Sequence, residues 1–362
     1  MKIALIVRRF TTQGGTERFV HGLAHWLVRQ GHDVHLFCHE VATEATPLEG
    51  ATIHLHPTRA RGRIAKLRAQ LQLAQHAKPS DFEHVATFLR TPNASMYRAG
   101  GGCHQSWLAA RAQWQTLHLP LPAWVGIADR METRMDQEAV QTAALVIVNS
   151  HMAKLDLVKE YQANADKLHL IRNGVDLQRF HPEGPVHPAV EQSAEPVIGF
   201  LGSGFARKGL TTAIQATASI PNARLMVMGG DPNPGRFGRL ANQLQLGDRI
   251  RFLGADPRPE RFLRGLSVMI LPTRYDPFAN SCLEAMASGV PVLTSAHNGA
   301  AEVLPEPWMS IANPHDHNAF AAALDRALQT EGLGETCRRI AETLPAQRAF
   351  QEFSLLAQSN PS

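Results

Sequence analysis

Two acidic residues flank the predicted start of a helix and could hold or orient a substrate there. Asp276 lies on a loop, and Glu284 lies one turn inside a helix predicted over residues 280–288, with seven residues between the two acids. Asn280 or Ser281 is expected to cap this helix. Its first backbone N–H groups and the positive end of its dipole form a site for an anion. The pattern therefore predicts an anionic ligand held beside two carboxylates.

The same spacing also has a purely structural interpretation. Ser281 and Glu284 fit the capping box pattern, in which the glutamate only satisfies the backbone N–H of the capping residue. Both interpretations predict a helix that ends at Gly289 and is followed by a buried strand over residues 290–293. They differ in what Glu284 contacts, which is either a ligand or its own helix.

Two adjacent cations, Arg207 and Lys208, follow another predicted strand, residues 196–201. They stand in a loop with several glycines, the last of which is Gly209. Fixed cations at the end of a buried strand can neutralise a departing diphosphate. A solvated pair of surface charges is the alternative interpretation.

A double glycine, Gly14 and Gly15, precedes a helix predicted from Thr16 to Gln30. Glycines at a helix start let a backbone N–H approach a phosphate closely, although they could equally make only a turn. The loop matches neither G-x-G-x-x-G nor the P-loop, which argues against a dinucleotide or P-loop site. The sequence has no Asp-x-Asp and no His or Cys cluster with metal-ligand spacing, so we expect no bound metal.

Strands and helices alternate along the chain, which predicts an α/β fold with parallel sheets. With 362 residues, of which 44% are hydrophobic, the chain can bury two domain cores. The alternation stops over a stretch rich in Pro, Glu and His, where we place an interdomain linker at residues 173–196. We expect two Rossmann-like domains facing across a cleft, residues 1–172 and 197–344, and a C-terminal segment, residues 345–362, that can return to the first domain.

Basic residues are concentrated in the first half, where residues 1–180 contain 21 Lys and Arg against 15 Asp and Glu. Four of them, Arg61, Arg63, Lys66 and Arg68, accompany an apolar helix stripe and could rest on an anionic membrane surface. A plain solvated helix face is the alternative. No apolar run approaches about 18 residues and the N-terminus does not fit a signal peptide, so a cytoplasmic protein is expected.

Taken together, these motifs resemble those of family 4 retaining glycosyltransferases. The similarity rests on Gly14-Gly15, Asn173-Gly174-Val175-Asp176, Arg207-Lys208-Gly209 and the stretch from Asp276 to Pro291. That family usually has glutamate at both acidic positions, whereas this chain has the shorter Asp276 at the first. The segment from Arg98 to Leu108 is also similar to lipopolysaccharide-core glycosyltransferases, in which the residue matching His104 faces the donor sugar.

The resemblance implies a GT-B fold, with the donor bound mainly by the second domain and the acceptor by the first. It implies transfer of a hexose, glucose from UDP-glucose, to a lipopolysaccharide-core or other lipid-linked saccharide by front-face attack, at the inner face of the cytoplasmic membrane. Neither a cofactor nor nucleic acid is expected. A nucleotide-sugar epimerase and an inactive saccharide-binding homologue are the alternatives. The implied roles are diphosphate binding by Gly14, Gly15, Arg207, Lys208, Asn280 and Ser281, ribose binding by Glu284, and sugar contacts by Asp276 and His104.

Overall fold

The chain divides into two compact units in a computed structural model that describes residues 1–43, 48–114 and 123–360. The first unit contains Met1–Asn173 and Gln347–Ser362, and the second contains Gly174–Ala346. Each unit is built on one main parallel sheet accompanied by helices. The predicted α/β fold with two parallel-sheet domains is therefore confirmed.

The first unit has a seven-stranded parallel sheet with the strand order β5-β3-β1-β6-β7-β8-β9, and β2 pairs with β4 beside it. Strands such as β8 are almost entirely apolar and fully buried, as expected for a parallel sheet. The strands are β1 (Lys2–Ile6), β2 (Arg9–Phe10), β3 (Asp33–Cys38), β4 (Glu40–Val41), β5 (Ala51–Leu55), β6 (His84–Thr87), β7 (Met96–Arg98), β8 (Leu145–Val148) and β9 (Leu168–Leu170).

Helices that pack through one apolar face accompany this sheet. In the first of them, Val20, Leu23, Ala24 and Leu27 are buried, which is the spacing of one helix face. The α-helices are α1 (Gly15–Arg29), α2 (Arg63–His76), α3 (His104–Trp114), α4 (Ala123–Thr142), α5 (His151–Tyr161) and the C-terminal helix (Ala346–Gln358), with short 3-10 helices at Pro79–Asp81 and Ala165–Lys167.

The second unit has a six-stranded parallel sheet with the order β12-β11-β10-β13-β14-β15. The chain enters this sheet at its centre, so β10 lies directly beside β13 although 66 residues separate their ends. The strands are β10 (Val197–Leu201), β11 (Arg224–Met228), β12 (Ile250–Gly254), β13 (Val268–Leu271), β14 (Val292–Ser295) and β15 (Ser310–Ile311).

The helices of the second unit enclose a continuous apolar core. Its aromatic residues include Phe200, Phe262 and Phe320, which are fully buried and should each contribute about 1.5–3 kcal/mol to folding. The helices are α6 (Pro188–Glu191), α7 (Phe205–Lys208), α8 (Leu210–Ala218), α9 (Gly235–Gln243), α10 (Pro259–Leu263), α11 (Asn280–Ala287), α12 (His317–Gln329) and α13 (Leu333–Glu342), with 3-10 helices at Gly247–Arg249, Gly299–Val303 and Pro307–Met309.

The segment predicted as a linker, residues 173–196, belongs to the second unit from Gly174 onward. Val175, Phe180 and Val190 are at most 3% exposed and pack into that unit's core. The strand predicted over residues 290–293 is β14, which starts two residues later, because Pro291 has no N–H to give to a ladder. The C-terminal helix joins the first unit, where Phe350 packs edge-on against Phe19 at 5.4 Å between ring centroids.

Across the residues that the structure describes, no helix is both long enough and apolar enough to cross a bilayer. The four cysteines, Cys38, Cys103, Cys282 and Cys337, are all buried, and burial raises the pKa of each thiol.

Candidate active site

The second unit brings two loops together at one edge of its sheet. Strands β10 and β13 are parallel neighbours, so the loops that follow Leu201 and Leu271 leave the sheet side by side. Ligands of parallel α/β sheets bind at this edge. The first segment was predicted as a loop, but it forms a short helix, α7, that carries Arg207 and Lys208. The second segment carries Asp276.

The short helix α7 fixes the two cations. Phe205 at its start is buried and makes T-shaped contacts with Phe200 and Phe237, at 5.9 and 5.6 Å between ring centroids. Its backbone N–H donates to the carboxylate of Asp231 at 2.8 Å. Packing and the hydrogen bond together place Arg207 and Lys208 at the end of β10.

Gly209 lets the two loops approach each other closely. Its φ is +80°, and a Cβ at this position would lie 2.0 Å from the carbonyl oxygen of Pro272. The loops are then joined by a hydrogen bond of 2.9 Å from the Arg274 N–H to the carbonyl of Arg207. Packing between the two loops therefore explains why position 209 is a glycine, whether or not a ligand binds there.

Asp276 binds both cations directly. The Lys208 ammonium donates to Asp276 Oδ2 at 2.5 Å, and the Arg207 guanidinium donates to the same oxygen at 2.8 Å. The other oxygen, Oδ1, accepts from the N–H of Phe278 at 3.2 Å. Burial by itself raises the pKa of Asp276, but Lys208 and Arg207 outweigh it and lower this pKa to about 2. The carboxylate is therefore ionised at any pH at which the protein would work.

Helix α11 begins four residues after Asp276, but its cap is not the one predicted from the sequence. The N-cap is Ala279, so neither Asn280 nor Ser281 caps the helix. The side chain of Asn298 satisfies a different group at this helix start, because its Oδ1 accepts from the backbone N–H of the N-cap residue, Ala279, at 3.0 Å. The expected cap was wrong because the helix already begins at Asn280, which leaves the alanine before it at the N-cap.

This correction removes the capping box interpretation of Glu284. A capping box needs Ser281 at the N-cap, whereas Ser281 is the second residue inside the helix. Glu284 is 7% exposed and lies one turn after Asn280. A buried carboxylate so near a helix start needs a different explanation from a local cap.

His104 lies in the first unit, as the first residue of α3. Its backbone N–H donates to Asp136 Oδ2 at 2.9 Å, and its ring lies 3.7 Å from Glu132 and 3.9 Å from Asp129. The side chain is almost fully buried, and burial is the main reason that the pKa of His104 is lowered. The lowered pKa favours the neutral form of the imidazole.

Gly14 and Gly15 form the start of α1, where Gly14 is the N-cap with a φ of 93° and Gly15 is the first helical residue. Thr16 follows and lines a cavity of the first unit together with Arg98. The first N–H groups of a 15-residue helix therefore stand beside this cavity.

One of the four cations predicted to face a membrane points inward instead. Arg63 donates to Glu132 at 2.6 Å and also pairs with Asp129, both on α4. The other three, Arg61, Lys66 and Arg68, are exposed. They form a basic surface on α2 and on the loop before it.

Sequence reasoning missed three residues that shape these sites. Asp231 fixes the start of α7, Asn298 accepts from the backbone N–H that precedes α11, and Arg98 is buried with its ring contact on Phe19 of α1. Asp231 follows a Gly-Gly pair after a buried strand, which was a usable signal of a loop at the sheet edge. The backbone N–H from which Asn298 accepts and the side chain to which Arg98 donates lie far away in the sequence and come close only in the folded chain.

Within the residues described by the structure, no group of three or more His, Cys, Asp or Glu side chains is suited to a metal ion. The expectation that the site works without a metal stays a prediction.

Two family descriptions match the chain, one in each half. Residues 13–179 match Glycosyltransferase Family 4, and residues 187–345 match Glycosyl transferases group 1. The two matches together span most of both units.

Relatives of known activity are similar at low identity. The lipopolysaccharide glucosyltransferase WaaG of Escherichia coli is 23% identical over 374 residues, which cover 95% of this chain and 95% of WaaG. A D-inositol 3-phosphate glycosyltransferase of Mycobacterium marinum is 25% identical over 211 residues, which cover 55% of this chain. That match spans only 45% of the mycobacterial protein.

Solved structures share the fold over nearly the whole chain. A crystal structure of WaaG matches with a TM-score of 0.80 at 19% identity, covering 99% of this chain and 100% of that one. The Anabaena protein HepE, in complex with UDP and glucose, matches with a TM-score of 0.74 at 17% identity, with 99% and 100% covered. The chain is therefore a member of the GT-B glycosyltransferase family, related to WaaG and to the inositol phosphate glycosyltransferases.

Proposed function

We propose that the protein transfers glucose from UDP-glucose, with retention of configuration, to a hydroxyl of a lipid-linked saccharide of the lipopolysaccharide-core type. The observation that carries this proposal is the contact of Asp276 with Arg207 and Lys208 at the edge of the second sheet. Two named relatives support the choice of substrates, since WaaG is a lipopolysaccharide glucosyltransferase and HepE binds UDP and glucose.

Arg207 and Lys208 would hold the donor diphosphate. Two cations beside one carboxylate leave a net positive charge, and the start of α11 adds the positive end of a helix dipole. The side chain of Arg207 is 33% exposed, whereas that of Lys208 is only 9% exposed. Arg207 can therefore keep its bond to Asp276 and still offer other N–H groups to a phosphate, because guanidinium has five donors.

The two acids would bind different parts of the donor. Glu284, which is not a capping residue, would accept hydrogen bonds from the ribose hydroxyls, and the N–H groups at Asn280 and Ser281 would approach the diphosphate. Asp276 would lie beside the transferred sugar and orient both cations. Its shorter side chain suits this second task, because both of its oxygens already accept hydrogen bonds within the unit.

The reaction would proceed on one face of the sugar. As the bond from the anomeric carbon to the phosphate oxygen breaks, Arg207 and Lys208 would neutralise the charge that develops on the leaving diphosphate. The acceptor hydroxyl would attack from the same face and pass its proton to the leaving oxygen. This route retains configuration and needs no protein nucleophile.

The first unit would bind the acceptor. His104, as a neutral imidazole, is proposed to contact the sugar that is transferred, and the N–H of Gly15 is proposed to contact the diphosphate. The exposed Arg61, Lys66 and Arg68 would hold the protein on an anionic membrane surface at the cytoplasmic side, where it would meet a lipid-linked acceptor.

A panel of nucleotide sugars tests the proposal, with and without lipopolysaccharide truncated after its inner core. UDP-glucose, UDP-galactose, ADP-glucose and GDP-mannose are incubated with the protein, and nuclear magnetic resonance identifies the products. An α-linked glucose on the acceptor, formed from UDP-glucose alone, supports the proposal. Conversion of a donor without acceptor would indicate an epimerase, and binding without turnover would indicate an inactive homologue. Either result would overturn it.

A further inference from the structure

The first unit contains a cavity of about 430 Å³ with a strongly basic lining. All of its lining residues belong to this unit. Five of them are cations and only one is an acid: Arg8, Arg63, Lys66, Arg90, Arg98 and Glu132. A cavity of this size can hold a monosaccharide with a charged substituent.

Two of the cations are neutralised by the protein itself. Arg63 and Arg90 both pair with Glu132, at 2.6 and 2.8 Å. Arg63 also contacts Asp129, and Arg90 lies 3.3 Å from Asp136. These arginines form the wall of the cavity and are already provided with counter-ions.

Arg98 is different, because it is buried without a counter-ion. It is 6% exposed, its Nη2 donates to the amide oxygen of Asn173 at 2.6 Å, and its guanidinium carbon lies 3.7 Å from the ring centroid of Phe19. Both partners are neutral, and among the described residues no carboxylate pairs with Arg98. Burial lowers the pKa of Arg98 to about 10, which is the sign of a cation that has lost water without gaining an anion.

The glycines that follow Arg98 leave room around these cations. A Cβ on Gly100 would lie 2.6 Å from Nη1 of Arg98, and a Cβ on Gly101 would lie 3.1 Å from Nη2 of Arg90. Nε of Arg98 is buried and makes no hydrogen bond to the described residues. A buried charged side chain with an unused donor in a cavity is a place where a ligand oxygen would be stabilised.

Arg8 and Lys66 complete the charge of the cavity from more exposed positions. Arg8 has one weak ion pair, 3.8 Å from Glu17. Thr16, the second residue of α1, lines the same cavity, so the positive end of that helix dipole lies near these cations. Arg8, Lys66 and Arg98 therefore all contribute positive charge to this one cavity.

We propose that this cavity binds an oxyanion carried by the saccharide acceptor, a phosphate or a carboxylate, with Arg98 as its buried contact and Lys66 and Arg8 as its outer contacts. The inference rests on the proposed function, since it names the chemical class of the acceptor that the first unit would take. It implies that a neutral saccharide is a poor acceptor for this enzyme.

Binding of small saccharides tests this inference separately from transfer. Glucose 6-phosphate, glucuronate, glucose and inorganic phosphate are titrated into the full chain by calorimetry, and UDP is titrated as a measure of the second unit. The variants are Lys66→Gln and Arg98→Gln. Lys78→Gln is the matched control, because Lys78 is an exposed lysine just after α2 that does not line the cavity.

We expect glucose 6-phosphate or glucuronate to bind more tightly than glucose and than inorganic phosphate. Lys66→Gln and Arg98→Gln should each weaken that binding by about tenfold, the effect of one charge-assisted hydrogen bond. Lys78→Gln should leave it unchanged, and UDP affinity should stay within about twofold in all three variants. Lys66 is exposed, so its variant tests the inference even if Arg98→Gln does not fold.

Equal binding of glucose and glucose 6-phosphate would overturn the inference, as would equal effects of Lys66→Gln and Lys78→Gln. Inorganic phosphate bound as tightly as glucose 6-phosphate would mean a free phosphate site instead of an acceptor site. A failure of the proposed function looks different, because saccharide binding would persist while no glucose is transferred from UDP-glucose.

Discussion

The ammonium group of Lys208 lies 2.5 Å from the carboxylate of Asp276, and each side chain is about nine-tenths buried. The two residues are 68 positions apart in the sequence and meet because β10 and β13 are parallel neighbours. Taking either charge out of water is costly unless the other is present. The pair is therefore part of the folded structure of the second unit before any ligand binds.

Asp276→Asn should destabilise the second unit, because it leaves Lys208 buried without its counter-ion. We expect the free energy of unfolding to fall by about 3 kcal/mol in urea titrations. Asp325→Asn, which replaces an exposed acid on α12, is the control and should change it by less than about 0.5 kcal/mol. Equal stability of the two variants would mean that the contact contributes little.

The contact between Lys208 and Asp276 also predicts that the stability of the protein falls at low pH. The pKa of Asp276 is lowered to about 2, below the ordinary value of about 3.9. A lowered pKa contributes stability in full above the unfolded-state value, and that contribution is lost as the pH falls from about 4 toward about 2. The difference in stability between wild type and Asp276→Asn should shrink over that range.

Glu284→Gln should weaken UDP binding without changing stability. The structure has Ala279 and not Ser281 at the N-cap, so the glutamate is not needed to cap its helix. If it binds the ribose as a carboxylate, calorimetry should show about a tenfold loss of UDP affinity.

Asn298→Ala is the companion variant, because it removes the acceptor of the Ala279 and Ala300 N–H groups and should cost about 2 kcal/mol of stability. A Glu284→Gln variant that unfolds as easily as Asn298→Ala and still binds UDP would assign Glu284 a structural role.

Glucose transfer should continue in an excess of chelator. The cations Arg207 and Lys208 can neutralise a diphosphate without a divalent ion, and the carboxylate of Asp276 is already paired with both of them. The measurement is the initial rate after treatment with ethylenediaminetetraacetate, with and without added Mg²⁺ or Mn²⁺. Loss of the rate in chelator and its recovery with either metal would show that the site needs a metal.

A group of stacked histidines in the first unit predicts loss of stability in mild acid. His35 and His54 are joined by a hydrogen bond of 2.8 Å, and the rings of His56 and His76 are stacked at 3.9 Å. Burial and then the neighbouring imidazoles lower the pKa of both His54 and His56. Protonation is therefore unfavourable in the folded state, so stability is complete above the unfolded-state pKa of about 6.5 and falls below it.

Thermal unfolding between about pH 7.5 and about pH 5.5 measures this effect. We expect Tm to fall with pH, and the fall to be smaller in the double variant His54→Gln with His56→Gln. His317→Gln, on a helix of the second unit, is the control. The same pH dependence in the double variant and in wild type would mean that other groups cause it.

Elements defined by their own residues were predictable from the sequence. Strands β8 and β13 are short apolar runs, and both have the bounds that their sequences indicate. The position of the two cations after a buried strand was also predictable, because glycines and two adjacent cations need no distant partner to be noticed. The predicted loop was wrong in one respect, since Arg207 and Lys208 lie on the short helix α7.

Features that depend on distant residues were not predictable in this way. Ser281-x-x-Glu284 indicated a local cap, but the N-cap is Ala279, and its N–H donates to Asn298, which follows β14 in the sequence. Arg63 looked like part of an exposed basic face, but α4 supplies its acidic partners 66 and 69 residues later. The unusual state of Arg98 follows from the absence of an acidic partner, which only the packing of the described residues reveals.

The most direct test of the account compares UDP with uridine, because the difference between them is the diphosphate that Arg207 and Lys208 are proposed to bind. Calorimetry is performed on wild type, on the double variant Arg207→Ala with Lys208→Ala, and on Arg339→Ala as an exposed control cation of the same unit. We predict that wild type and Arg339→Ala bind UDP about 100-fold or more tightly than uridine, and that the double variant loses most of this preference but still binds uridine. A double variant that keeps the full preference for UDP would contradict the account.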